Sequence, residues 1–267
     1  MRLTGLSFAV LFAVLFAATP AAFAAIELNG NVTPDILFGE GNANGGFYID
    51  RDNGIELGLR AKQRFPAANI FNNNNDGTFS FATGIGTGGP GTPAFPRPLW
   101  NFEWSINTDY LDSGSGVLNG FTYELRIDFD PTAGTNNFQT FDPINVAFAD
   151  HGIGDNSTPN GDGDDDIPGR TAGDYSFLIA NNNVAQNSWT MTFFDDATHV
   201  FDPNIDGTYT IQLAAYSRET NPTLLASASI DVIVGEGGAP IPEPLSFLAW
   251  GGLIGCALVA SRRHQRS

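Results

Sequence analysis

Cysteine is almost missing from this chain: Cys256 is the only one in 267 residues, and it lies among the last twelve. A disulfide framework is excluded, and so is cysteine nucleophile chemistry anywhere before that tail. Lysine is equally scarce, with Lys62 the single example, and Lys plus Arg total 12 against 29 acidic residues. Four of the basic residues (Arg2, Arg262, Arg263, Arg266) and one acidic residue (Glu243) fall outside residues 25–240, which leaves that body 8 basic, 28 acidic and a net charge of −20. A field of that sign repels nucleic acid and anionic membranes and attracts divalent cations, so nucleic-acid binding is excluded as the main role. His-Glu-x-x-His and Gly-x-Ser-x-Gly are also absent, which removes the two sequence signatures of zinc-protease and serine-hydrolase chemistry. With no covalent staples, the 216 residues of the body must be held by a hydrophobic core.

What is present begins with two apolar ends. Residues 1–24 have the three parts of a secretory signal: Arg2, the apolar stretch Leu6–Ala18, and Ala22-Phe23-Ala24 as an A-x-A site with Ala22 and Ala24 as its small residues. The mature chain is expected to begin at Ala25. At the other end Pro242-Glu243-Pro244 precedes an uncharged run, Leu245–Ala260, followed by Arg262, Arg263, His264 and Arg266. That run is 16 residues long, somewhat short of the roughly 20 that span a bilayer core, a mismatch that local thinning and snorkelling arginines absorb. Arginines placed after the helix orient it body outside, tail inside.

The Pro-Glu-Pro motif, the helix behind it and the closing arginines resemble the sorting tail of PEP-CTERM proteins, the exosortase substrates of exopolysaccharide-making Gram-negative bacteria. The resemblance covers about a tenth of the chain, residues 242–267. It implies export through the inner membrane, cleavage by signal peptidase, temporary anchoring by helix 245–260, and recognition by exosortase with processing near Glu243. It also implies a destination at the cell surface or in the extracellular matrix, with exopolysaccharide as a neighbour.

The body reads as strands. In Leu99–Asn107 the side chains of Trp100, Phe102, Trp104 and Ile106 share one face and Asn101, Glu103 and Ser105 the other. Phe121–Asp130 sets Phe121, Tyr123, Leu125, Ile127 and Phe129 against Thr122, Glu124, Arg126, Asp128 and Asp130. Such period-two patterns predict strands with one buried face. Further strands are expected at 54–60, 145–149, 188–194, 207–216 and 226–234, with turns at Asp52-Asn53-Gly54, Asp76-Gly77, Asn119-Gly120 and Asp206-Gly207. This predicts an all-β body over residues 25–234, an antiparallel β-sandwich of jelly-roll or immunoglobulin-like kind. One helix is expected from an Asp174 N-cap toward Val184, an irregular loop over 83–98 and a flexible linker over 235–241. Phe-Asp-Pro recurs at 129–131, 141–143 and 201–203. Each copy reads as a strand end, a capping acid and a stop, in place of a ligand motif.

Chemistry-bearing residues are few. Asp155, Asn160, Asp162, Asp164 and Asp166 sit on a Gly-rich loop whose hard oxygens suit structural Ca²⁺. Asp165 stands where an EF-hand needs glycine and Thr171 where it needs the bidentate acid, so a solvated acidic loop is the other reading. Asp150-His151 is the one tight acid–imidazole pair, and His199 follows Asp195-Asp196. Glu103 and Glu124 would serve a glycosidase only if they faced each other across a concave sheet. Trp100, Trp104, Trp189 and Tyr216 would stack on sugars if exposed and form core if not. The combined expectation is a structural or adhesive surface protein without catalysis. A matrix-polysaccharide-binding module is the alternative and an extracellular polysaccharide hydrolase the third.

Overall fold

The computed structural model describes residues 25–39, 41–64, 68–86, 97–114, 116–164 and 171–238. The expected signal peptide, the sorting tail with its 245–260 helix, Asp166, residues 87–96 of the expected loop and 239–241 of the expected linker lie outside the described residues. Among the described residues, no helix is long and apolar enough to cross a membrane.

In chain order the strands are β1 (Ala25–Gly30), β2 (Phe47–Asp52), β3 (Ile55–Gln63), β4 (Thr78–Phe81), β5 (Trp100–Asn107), β6 (Phe121–Asp128), β7 (Phe138–Phe141), β8 (Gly152–Gly154), β9 (Val184–Trp189), β10 (Gly207–Ser217) and β11 (Leu224–Val234), with one α-helix, α1 (Ala172–Asn181), between β8 and β9. They form a six-stranded sheet in the order β1-β2-β3-β5-β9-β8 and a five-stranded sheet in the order β4-β11-β10-β6-β7. All neighbours are antiparallel except β4 and β11, which run parallel. The exception to the expected antiparallel arrangement sits at an edge, where β4 joins the five-stranded sheet beside β11. Between β2 and β3 the chain turns at Asn53 (φ 50°) and Gly54 (φ 80°), the two left-handed positions that a tight hairpin of matching twist requires.

Inward side chains of both sheets share one core. Leu57, Leu59, Phe102, Trp104 and Ile106 come from one sheet and Tyr123, Leu125, Ile127, Ile211, Leu213, Ile230 and Val232 from the other. β10 and β11 alternate buried and accessible positions along their 11 residues each, as the sequence pattern predicts. β5 does not: all eight of its residues are buried. The cause is a strap, residues 31–39 and 41–46, laid across the outward face of the six-stranded sheet. Val32 and Ile36 of the strap make a second apolar cluster there with Phe47 and Ile49. Gly58 permits the approach, since a Cβ at that position would meet Val32 Cγ1 at 2.6 Å.

Several expected elements are displaced. The strand expected at 145–149 is a loop, because Asp142 ties the chain into a turn by accepting from the Ile144 and Asn145 amides at 2.9 Å each. The strand expected at 188–194 spans Val184–Trp189 and gives way to a 3₁₀ turn at Met191–Phe193. Thr171, not Asp174, is the N-cap of α1. Asp174 is the third helical residue of a reciprocal capping box, its carboxylate accepting from the Thr171 amide while the Thr171 hydroxyl accepts from the Asp174 amide. The linker begins attached to the body: Gly235 N donates to Phe81 O and Gly238 N to Thr208 Oγ1. The Phe-Asp-Pro copies are turns, with Asp130, Asp142 and Asp202 each accepting from the amide two residues on.

Candidate functional site

Alternation places Glu56, Arg60 and Lys62 of β3, Asn101, Glu103, Ser105 and Asn107 of β5, and Gln186 and Ser188 of β9 on the strap side of the six-stranded sheet. A polar face that is covered must satisfy itself, and this one does so apart from Arg60 Nη2. Glu56 accepts from Thr33 N at 2.7 Å and from Arg51 Nε at 2.7 Å, and burial raises its pKa against the lowering effect of those partners. Gln186 Oε1 accepts from Leu37 N at 2.8 Å while its amide donates to Asp35 O at 2.8 Å and Ser105 Oγ at 3.2 Å. The strap is thus held on both sides of β5.

Arg60 is the central staple. Its guanidinium is fully buried, packed over the rings of Phe47 and Phe71 at 4.2 Å from each centroid, and donates to the carbonyls of Ala43 and Gly45. Its Nε donates to Glu103 Oε2 at 2.6 Å, and Nη2 lies in ion-pair range of the same oxygen without the geometry of a second hydrogen bond. Burial lowers the pKa of this guanidinium and Glu103 opposes the shift.

Beside this pair the strap lifts off and leaves a polar cleft of about 390 Å³. Phe38, Gly41 and Asn42 form its strap wall, Lys62, Asn101, Glu103 and Ser188 its floor, and residues 63–64 and 68–69 its far side. Lys62 is only 12 % exposed; its ammonium donates to Asn42 Oδ1 and lies 4.0 Å from Glu103 Oε1. Its pKa is lowered by burial first, with Glu103 opposing and Arg60 and Arg64 adding to the decrease. Asn101 donates to Ser188 Oγ at 3.2 Å. The arrangement offers the Lys62 ammonium, side-chain amides, the Ser188 hydroxyl and the Glu103 carboxylate in a recess, which is binding chemistry.

The sequence-predicted residues fare differently. Glu103 and Glu124 face away from the core on different sheets, so they cannot flank one bond. His151 is 1 % exposed: Nε2 donates to Pro143 O at 2.8 Å, Nδ1 accepts from Asn187 Nδ2 at 3.0 Å, and the ring packs among Trp104, Trp189 and Tyr175. Burial drives its pKa down to about 4, so it is a neutral structural group, not a proton shuttle. His199 closes a turn on Asp196 at 2.9 Å, and that bond holds the Asp196 carboxylate below its ordinary pKa. Trp100 and Trp104 are fully buried and Trp189 is half-buried in the same aromatic cluster. Only Tyr216 lies in an open groove, of about 220 Å³, on the outward face of the five-stranded sheet.

The loop read as a calcium site is engaged with the strap. Gly161 N donates to Ile36 O at 2.9 Å, Gly163 N to Leu37 O at 3.0 Å, and the Asn160 amide to Asn42 O at 2.8 Å. Asp155 caps its own turn by accepting from Ser157 N at 2.8 Å and Ser157 Oγ at 2.6 Å, while Asp164 pairs through its backbone with Ile153. Among the described residues, no three His, Cys, Asp or Glu side chains are grouped to hold a metal.

Sequence reasoning missed the Lys62 cleft, although a signal existed. Arg60, Lys62 and Arg64 alternate, which in a strand stacks three of the body's 8 basic residues on one face. Family descriptions, curated proteins and solved structures were all compared with the chain, and none matches it.

Proposed function

We propose that the chain is an exported, exosortase-sorted protein of the cell surface or exopolysaccharide matrix, with an adhesive or structural role and no catalysis. Its body is read as a two-layer β-sandwich of jelly-roll or immunoglobulin-like kind, which the shared core of the two sheets supports. The observation that carries the sorting is the sequence of Pro242-Glu243-Pro244, then the uncharged run to Ala260, then Arg262, Arg263 and Arg266. The absence of catalysis in this reading is supported by where the acid–base groups are spent: Glu103 on Arg60, and His151 on Pro143 and Asn187. Structural Ca²⁺ on the 155–166 loop would add to this reading by stiffening that loop, and a thermal midpoint unmoved by millimolar Ca²⁺ would sink it.

Intact-mass spectrometry of protein isolated from producing cells, with and without the sorting enzyme, tests the proposal. Loss of the peptide containing Cys256 only when the enzyme is present is the expected result. Retention of that peptide in both sinks the sorting. A second reading, binding of matrix polysaccharide, is favoured by one feature, the polar cleft beside Lys62. Co-sedimentation of the purified protein with the matrix polysaccharide is its test, and a protein left in the supernatant sinks it.

A further inference from the structure

We infer that the Lys62 cleft is a binding site for a carboxylated sugar residue, whose carboxylate meets the Lys62 ammonium and whose hydroxyls meet the side chains of Asn101 and Ser188. The inference rests on the polysaccharide-binding reading and gives it a ligand class.

Charge balance is the first argument. Glu103 is neutralised by Arg60, which gives it a hydrogen bond at 2.6 Å and shares its burial at 0 % and 2 % exposure. Lys62 stands 4.0 Å from the same carboxylate, on its other oxygen. Among the described residues, the other charged groups that bear on Lys62 are Arg60 and Arg64, both positive. An ammonium beside an already balanced pair favours an anion, in a body whose overall charge is strongly negative. A single negative charge suits it better than a phosphate dianion, because Glu103 Oε1 lies within Coulomb range of any guest on Lys62.

Hydrogen-bonding capacity is the second. An ammonium has three donors, and Asn42 Oδ1 takes one of them. Asn101 donates to Ser188 Oγ and keeps its Oδ1 as an acceptor, while the serine keeps its O–H as a donor. A donor and an acceptor side by side match the adjacent hydroxyls of a sugar ring. The volume, about 390 Å³, falls in the roughly 300–1,000 Å³ range of small-molecule sites. None of the described tryptophans lines the cleft, Trp100 and Trp104 being in the core, and Phe38 is the one aromatic side chain among its lining residues.

Calorimetric titration of the isolated protein with D-glucuronate, D-glucose and acetate tests the inference. Saturable glucuronate binding at least about tenfold tighter than either comparison compound is expected, since glucose lacks the carboxylate for Lys62 and acetate lacks the hydroxyls for Asn101 and Ser188. Lys62→Met and Ala68→Asp, the latter placing a negative charge on the cleft wall without removing a hydrogen bond, should each weaken glucuronate by at least about tenfold. Unchanged thermal midpoints certify that these variants fold; if Lys62→Met fails that check, Ala68→Asp carries the test alone. Arg126→Met, on the other sheet, should bind as the parent does. Equal affinity for glucuronate and glucose, or full glucuronate binding by the folded variants, overturns the inference. Co-sedimentation with matrix polysaccharide separates the two levels: a wild-type protein that does not sediment overturns the polysaccharide reading, whereas variants that sediment as wild type overturn only the assignment to Lys62.

Discussion

β5 and β10 both alternate in sequence and both bury one face in the same core, yet their other faces have opposite fates. On β10 that face carries Thr208, Thr210, Gln212 and Ala214, each half-buried toward solvent. On β5 it carries Asn101, Glu103, Ser105 and Asn107, all buried beneath the strap. The first set is open to solvent, with Thr210 bonded to Asp231 and Gln212 to Arg126 on the sheet surface. The second set, apart from the part of Asn101 and Glu103 that faces the cleft, has only other residues to bond to, and its partners come from β3, β9, the strap, Asn156 and Asn183. Polar groups in such a layer are stabilising while every partner is in place and expensive when one is lost. The same charge pair should therefore matter greatly on one sheet and hardly at all on the other.

Arg60→Met breaks that contrast most severely. It leaves Glu103 buried without its main partner and removes the donors to Ala43 O and Gly45 O along with the packing on Phe47 and Phe71. Stranding one member of a buried ion pair costs about 3–5 kcal/mol. Urea unfolding is the measurement, and a loss below about 1 kcal/mol, the range of an exposed pair, would show that the layer is not dry. The double variant Arg60→Met/Glu103→Met should recover part of the loss, because no unpaired charge then remains.

Acid acts on a different buried group, His151. The unfolded chain protonates His151 below its ordinary value of about 6.5, whereas the native imidazole stays neutral down to about 4. The stability it contributes is thus complete above the higher value and is lost as pH falls through that window, to the extent of about 3 kcal/mol. Asp50 and Glu56 on the six-stranded sheet and Asp128 on the other are raised by burial. Native carboxyls that hold their protons at higher pH than unfolded ones add stability on acidification and so work in the opposite direction. His151→Gln isolates the histidine. The difference in stability between wild type and variant should shrink steadily as the pH is lowered through the window, and a constant difference would mean that the imidazole is not buried neutral.

A smaller effect belongs to the strap itself. Gln186→Ala removes the acceptor of the Leu37 amide and the donor to Asp35 O. A buried amide left unpaired costs about 1–3 kcal/mol, and Leu37 is fully buried. Hydrogen exchange at Leu37 should accelerate in step with the stability lost, while exchange along β10 and β11 follows only the global change. Acceleration of equal size everywhere would mean that the strap does not open by itself.

Sequence periodicity carried the strands whose partners are water on one side and core on the other: β6, β10 and β11 lie within two residues of their expected bounds. It also located β5 and its core face. What it misjudged was the opposite face, because alternation says which side chains share a face and nothing about what covers it. The strap has no period at all; Ile36, Leu37 and Phe38 are a short apolar run that acquires meaning only beside Gln186, Gly161 and Gly163, more than a hundred positions away. The short strands β1, β2, β4, β7 and β8 escaped for want of length. His151 looked chemical because Asp150 precedes it, but the ring bonds to Pro143 and Asn187 instead. Lys62 was visible as the single lysine and went unplaced, since the cleft needs the strap to form its wall.

The weakest prediction closes the contrast from the other side. Glu124 and Arg126 form the five-stranded sheet's counterpart of the Arg60–Glu103 pair, at 3.8 Å with side chains 42 % and 37 % exposed. Arg126 is already oriented by Gln212 Oε1 at 2.9 Å and by the Phe138 ring at 4.0 Å, so it keeps its place without the acid. Glu124→Gln should change stability by no more than about 0.5 kcal/mol, and added salt should erase even that. The comparable removal of charge at Glu103 leaves a buried guanidinium facing a neutral amide and should cost several times as much. If both substitutions proved equally mild, the strap would be an ornament on a sheet that water still reaches, and the cleft beside Lys62 would lose the low-dielectric floor on which its preference for an anion depends.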